Sequence, residues 1–529
     1  MDTSTALQLL LLPAAALAVA ALARWRDWSA PLLLVFAGLA ASYVPGIPSY
    51  ELDPHIVLSV FLPPMLYSAA LDSSYLRLRD VKRPVGLLAV GLVLFTTVVV
   101  AFVAHAMIPE LPLAAAFALG AIVAPTDAVS AVAVGRKLGL PRRALTVLIG
   151  EGLFNDATAL TVYRVAVAAV LGTSVTIVDA GLQFLLAAGA GLAIGLALAY
   201  AAGLLLRRLT DPLIANGVSL LVPYAAYLAA EAMHASGVIA VVVVGIYLGH
   251  QLSRTSYGTR LMSGAVWQVV DLVLESIVFA LIGLQLRPII AHLKGEDAAT
   301  LVTYAVVLFL VVVVVRIIWV PPATYLPRML SRRVREREPK TPSWQNVALT
   351  SWAGMRGVVS LAAAFGLPEK MPERNLVLFL TFAVVIGTLV VQGLSFPWLI
   401  RRLGVSNARE RYADDLAEAG AQQAAAAAAL ARLEELTSDG VLDVHEDVVE
   451  QLRNRAERRA MHAWERLGGG TGPEGEETPA RLYRRLRREM LSAEREVFVR
   501  LRDERRIDDE VLHRVMQELD FEEATLERR

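Results

Sequence analysis

An ionised side chain in hydrocarbon is expensive and needs a partner or a task. Six ionisable residues stand well inside apolar stretches of this sequence: Asp127, Glu151, Asp156, Arg164, Arg316 and Arg356. Glu275 makes a seventh, with Asp271 one turn earlier in the same stretch. The densest chemistry lies in IGEGLFNDATALTVYR, residues 149–164. On a helix, Glu151 and Asn155 share a face, and Asp156 is turned about 100° from Asn155. A carboxylate sheltered from water holds a proton or, when ionised, a small cation, and cannot readily hold both. Asn155 can orient it or add a neutral oxygen without a second titrating charge. Thr126, beside Pro125 in AIVAPTDAVSAVAV, stands where the helical ladder loses an N–H and frees carbonyls. Such oxygens suit a hard monovalent ion, so Asp156 and Thr126 are the expected cation ligands, with Asn155 and Asp127 beside them. For Glu151, Arg316 and Arg356 a compensated ion pair is the favoured reading.

These residues need elements that hold them at mid-membrane. The chain has 529 residues, 56% of them hydrophobic and 19% charged, with mean hydropathy +0.53. That is too apolar for a soluble domain. A bilayer-crossing helix takes about 20 mostly apolar residues. Thirteen such stretches are read, near 6–24, 31–47, 55–71, 84–107, 113–134, 143–171, 176–205, 212–231, 236–250, 266–286, 299–323, 345–367 and 376–399. The first is read as a retained span, because its leading segment carries Asp2 and no Lys or Arg before Arg24. The fifth stretch is interrupted at Pro125 and the twelfth at Gly354 and Gly357, which flank Arg356. Two interrupted spans, one early and one late, each with a charge at the break, point to a transporter built from inverted repeats. Half-helix ends carry partial charge, which Asp127 and Arg356 are placed to offset.

Alternate loops carry 20 Lys and Arg against 4 in the opposite set. Basic loops stay cytoplasmic, which puts the N-terminus outside and the C-terminal region inside. The totals balance at 50 basic and 50 acidic residues, so no nucleic-acid partner is implied. Cysteine is absent, which excludes disulfide scaffolds, thiolate metal sites and cysteine nucleophiles. No Walker motif, dinucleotide fingerprint or nucleophile elbow is present, which argues against ATP-driven transport and serine hydrolase chemistry. The expectation is a transporter without a cofactor rather than an enzyme. A passive channel, or an intramembrane enzyme using Asp127 and Asp156 together, is the competing class.

From Arg401 the character changes to 23 Arg and 29 acidic residues. The expected division is a transmembrane domain over 1–400 and a helical cytoplasmic tail over 401–529, with a Gly-rich linker at 468–479. Helices are expected over 480–502 and 508–525. Interleaved Arg and Glu favour a tail that packs on itself over one that binds anionic lipid. Its partner is not legible.

Six segments, FLPPMLYSAAL, APTDAVSAVAV, GEGLFNDATAL, FALIGLQL, VRIIWV and SWAGMRGVVSLAAAFGLP, occur in order across about residues 8–400. In them the chain resembles the bacterial sodium/proton exchangers of the first monovalent cation:proton antiporter family. The resemblance implies an all-α fold of thirteen transmembrane helices with two inverted six-helix repeats, two broken crossing helices, and a homodimer in the bacterial plasma membrane. It implies that Asn155 and Asp156 form the exchange site, and that one cation exchanges for one proton without net charge. It also implies that Glu151 pairs with Arg316, and Asp127 with Arg356. Two positions depart from better-known members. Ser68 follows Tyr67 where several have Glu, leaving Ser68 as a peripheral ligand, and Gly152 follows Glu151 where several have Ser. Fewer side-chain oxygens leave the ion open: Na+ first, with K+ the competitor and Li+ also admitted.

Overall fold

The computed structural model describes residues 3–26, 28–45, 56–172, 177–291, 293, 297–338, 341–438, 445–467 and 479–527. The expected linker at 468–479, except Pro479, and the loop residues Lys294 and Lys340 lie outside them. Every regular element among the described residues is a helix. The chain falls into two compact units, Met1–Ser406 and Asn407–Arg529.

The first unit contains α1 (Thr3–Arg26), α2 (Ala30–Ser42), α3 (Val57–Leu71), α4 (Tyr75–Asp80), α5 (Lys82–Met107), α6 (Leu113–Val123), α7 (Ala128–Lys137) and α8 (Arg142–Val170). It continues with α9 (Ile177–Arg208), α10 (Pro212–Ala232), α11 (Gly237–Gln251), α12 (Tyr257–Ala291), α13 (Ala298–Leu330), α14 (Arg332–Arg337), α15 (Trp344–Trp352), α16 (Val358–Phe365) and α17 (Arg374–Leu403). Side-chain caps start several of them. Asp211 accepts from the N–H of Leu213 ahead of α10, Ser236 from Ile239 in α11, and Ser343 from Asn346 in α15. Among the described residues, nine segments are long and apolar enough to cross a membrane. That measure counts α6 and α7 as one length, Leu113–Lys137. It gives nine rather than thirteen because α1 does not enter that count, α2 and α3 are apolar but shorter, and the twelfth stretch is cut between Trp352 and Val358 into two short helices.

Apolar packing separates into two main clusters. One joins residues of α1 to α3, α5 to α8, α12, α13 and α15 to α17; the other joins α3, α4 and α8 to α12. Helix α8 contributes to both, through Leu148 and Ala166 in the first and Leu153 and Ala157 in the second.

At the basic end of this unit, Glu338 draws three spans together. Arg83 at the start of α5 forks onto it at 2.9 and 3.1 Å, Arg143 of α8 reaches it at 2.8 Å, and Arg328 of α13 at 3.3 Å. Burial pushes the Glu338 carboxyl up, but the hydrogen bonds and charges of Arg83 and Arg143 outweigh it and hold it below the ordinary carboxylate value.

The second unit contains α18 (Ala408–Ser438), α19 (Glu446–Leu467), α20 (Pro479–Asp503) and α21 (Asp509–Glu527). Leu491 of α20 packs with Leu519 and Leu526 of α21. Arg487 forks onto Glu522 at 2.7 and 2.8 Å, and Arg495 reaches Asp520 at 2.7 Å. These acids take up part of the basic charge of α20.

Candidate functional site

The two interrupted spans meet at their breaks. The N–H of Asp127, in the extended stretch between α6 and α7, donates to the Met355 carbonyl between α15 and α16 at 2.8 Å. The Asp127 side chain turns onto its own helix and accepts from the N–H of Val129 at 2.8 Å, capping α7. Arg356, 1% exposed, sends Nη1 to the Ala124 carbonyl at the end of α6 at 2.7 Å. Its own N–H donates to the Thr388 hydroxyl of α17 at 3.0 Å. A carboxylate therefore sits at a helix start and a guanidinium at a helix end, each on the dipole it offsets. Among the described residues no ion pair joins Asp127 to Arg356, where the resemblance implies one. Each side chain is instead committed to a backbone end of a half-helix. Gly357 permits the crossing: a Cβ there would stand 2.6 Å from Cβ of Asp127 and 2.9 Å from its Oδ2.

Helix α8 brings the other charges. Glu151 and Arg316 of α13, 2% and 1% exposed, form an ion pair through both Nη1 and Nη2, the latter at 2.9 Å. Arg316 Nε also donates to the Thr350 carbonyl at 3.1 Å. The Thr126 hydroxyl donates to Glu151 at 2.7 Å. One turn on, Asn155 Nδ2 donates to the Thr126 carbonyl at 2.8 Å and to its hydroxyl at 3.1 Å. The shared face of Glu151 and Asn155 thus grips the break at Thr126. Asn155 is 1% exposed and its Oδ1 has no hydrogen-bond partner. Gly152 lets α8 approach α7, since a Cβ there would lie 2.7 Å from the Ala128 methyl.

Asp156 points elsewhere, into a cavity of about 290 Å³ that Thr126, Asp127, Gly152, Ser68, Asp271 and Glu275 also line. Asp156 is 7% exposed, and among the described residues no hydrogen bond or ion pair reaches its carboxylate. The cavity lies on the seam of the two apolar clusters, with Val57, Val132 and Val358 of one and Leu62, Leu66 and Leu153 of the other in its wall. Its mouth is at Asp72 and Arg136, which stand 4.0 Å apart and well exposed. Ser68 donates to Asp271 Oδ2 at 2.5 Å, a contact between residues 203 positions apart. Arg164 lies outside the cavity and pairs with Glu231 of α10 at 3.0 Å.

This arrangement presents two carboxylates, Asp156 and Glu275, that no hydrogen bond or ion pair reaches among the described residues, in a cavity wall that includes the broken backbone at Thr126 and Asp127; Asn155, on the adjoining face of α8, grips Thr126 from outside that wall. That is chemistry for binding a proton or a small cation reversibly.

The fold and site define a membrane protein of the secondary-transporter class. The family described as sodium/hydrogen exchanger, transmembrane, matches residues 12–402, and the chain belongs to that family. An uncharacterised Na(+)/H(+) exchanger of Mycobacterium tuberculosis is 34% identical over 517 residues, 94% of this chain and 91% of that one. A sodium, potassium, lithium and rubidium/H(+) antiporter of Bacillus subtilis is 32% identical over 387 residues, 70% of this chain and 57% of that one. A Na(+)/H(+) antiporter of Aphanothece halophytica is 33% identical over 377 residues, 71% and 69% of the two chains. The sodium proton antiporter structure from Methanocaldococcus jannaschii superposes with a TM-score of 0.58 at 19% identity, covering 74% of this chain and 97% of that one. The shared all-helical fold is that of a cation:proton antiporter.

Proposed function

We propose that this chain exchanges Na+ for H+ across the bacterial plasma membrane by alternating access around Asp156, one cation for one proton and without net charge. The observation that carries the reading is the unpartnered Asp156 carboxylate at the end of the cavity, beside two broken helices. Asp156 takes a proton or a cation in turn. Thr126 and the free Oδ1 of Asn155 supply neutral oxygens, and Asp127 stays committed to the start of α7. The Glu151–Arg316 pair and the Arg356 contact hold the half-helices in register. An occupied site is neutral and can cross the low-dielectric interior; an empty, ionised one resists crossing.

The membrane reading has thirteen crossings: nine long segments, the shorter α2 and α3, α1, and the interrupted α15–α16 pair. They would form two inverted six-helix repeats in a homodimer, with the N-terminus outside and the tail from Arg401 in the cytoplasm. The basic loops support that orientation, and it makes the mouth at Asp72 and Arg136 cytoplasmic.

The test is reconstitution into sealed vesicles with a pH gradient, scanning Li+, Na+ and K+ for its dissipation. Sodium-driven proton flux insensitive to membrane potential is expected, and Asp156→Asn is expected to abolish it in a folded protein. Flux by that variant equal to the parent's would overturn the site. Current without proton coupling would make the chain a channel. A second reading, K+/H+ exchange, is favoured by the scarcity of side-chain oxygens at Ser68 and Gly152. A larger response to K+ than to Na+ would establish it.

A further inference from the structure

The cavity joins Asp156 to the exposed Asp72 and Arg136. Its α8 wall is made by Ile149, Gly152, Leu153 and Asp156, and its α7 wall extends to Arg136 at the mouth. Arg136 and the start of α8 at Arg142 share that end, so α8 runs away from the mouth. Arg164 is eight residues past Asp156, about 12 Å farther along the helix axis. The chain returns to the mouth end through α9 and runs out again through α10, which ends at Ala232. Glu231 therefore stands at the end opposite the mouth too. There Arg164 Nη2 meets both Glu231 oxygens at 3.0 Å.

Among the described residues this pair differs in place from the other ion pairs of the membrane unit: the exposed Arg136–Asp72 stands at the mouth and Arg332–Glu336 beside the basic loop of Glu338. Glu151–Arg316 is sealed, and Glu338 is held by three arginines. Arg164 and Glu231 are 56% and 31% exposed. An exposed pair is weakly held and easily exchanged for solvent. It also joins the helix that carries Asp156 to one that contributes nothing to the cavity wall. An exchange cycle must close the mouth and open this opposite end, and a tie present in one state only biases the two populations.

We propose that Arg164 and Glu231 form the gate opposite the cavity mouth, a contact made while the mouth is open and broken when the site faces the other side. The proposal rests on the antiporter reading, because only a two-sided cycle needs such a gate. Both residues position the transport cycle and neither touches the ion.

The chain has no cysteine, so a single reporter can be read cleanly. Ser360→Cys places a thiol on a cavity-lining residue that is 2% exposed and has no hydrogen-bond partner. In oriented vesicles, a membrane-impermeant thiol reagent is applied to each face in turn. Labelling from the mouth face is expected in every folded variant. Adding Arg164→Glu should speed labelling from the opposite face at least three-fold, and the swap Arg164→Glu with Glu231→Arg should return it to the parent rate. Unchanged labelling from the opposite face in Arg164→Glu would overturn the gate, as would an increase that the swap leaves in place. Labelling is independent of flux. Absence of cation-driven proton flux in the parent would sink the antiporter reading, and the labelling rates would still report on the gate.

Discussion

The task of Asp156 follows from what it lacks. In the cavity wall Asp127 caps a helix and Asp271 accepts from Ser68, whereas among the described residues no hydrogen bond or ion pair reaches Asp156 or Glu275, and Asp156, on α8, is the more deeply placed. Asn155→Asp should put a second titrating carboxylate against Thr126, giving a folded protein with changed stoichiometry. Net charge movement in vesicles checks it, and unchanged turnover and ion preference would exclude Asn155 from the site. Removing one partner of a sealed pair leaves a buried charge. Glu151→Gln should therefore lower stability by about 3–5 kcal/mol, read as a fall in melting temperature in detergent. Much at this scale was legible in the sequence, because a charge inside an apolar run announces itself. Glu151, Asp156, Arg316 and Arg356 are visible that way, and Asn155 by its place on the face of Glu151. The Ser68–Asp271 bond was not, because its partners are far apart in the chain and nothing local couples them. Glu231 was missed for another reason: it closes a stretch at an end where charge is cheap, so it carried no signal.

At the scale of elements, both breaks could be read from single residues, Pro125 for α6–α7 and the glycines around Arg356 for α15–α16. What the sequence could not show is how the broken ends are compensated. Opposite charges at two breaks invite pairing, but each instead serves a peptide dipole: Asp127 the start of α7, Arg356 the end of α6. Two consequences can be measured. Gly357→Ala puts a methyl against Cβ and Oδ2 of Asp127, so the cap must shift. A loss of stability of about 1–3 kcal/mol is expected, with exchange impaired more than folding. Gly152→Ser adds an oxygen at the cavity wall but drives it into Ala128. The expected outcome is a less stable protein with altered cation preference, checked by melting and by the Li+, Na+ and K+ scan. The second apolar stretch, read over 31–47, shows the limit of counting residues: α2 ends at Ser42, while α3 runs over Val57–Leu71 of the 55–71 read.

At the scale of the molecule, composition separated a membrane unit from a charged tail, and the alternation of basic loops gave an orientation. It did not show that one loop acid would gather three of those basic residues. Glu338 is held below its unfolded value, so it stabilises the fold above the ordinary carboxylate range, and that contribution is lost as pH falls through the lowered value. Melting temperature should decline on the acid side, and Glu338→Gln should flatten the decline while lowering stability at neutral pH. A variant with the parental acid slope would show that the three arginines need no anion between them.

The lining of the cavity bears on how ions are told apart. Between the mouth and Asp156 the wall is largely apolar, with Leu62, Leu66, Val132 and Leu153 in it, and such side chains offer a cation little to be sorted by. At the site proposed here, discrimination would fall on the last step, where shed waters are replaced by the Asp156 carboxylate and the oxygens at Thr126. A sparse coordination sphere of that kind replaces a shell incompletely, and a protein built so should be tolerant in what it carries and quick to let it go.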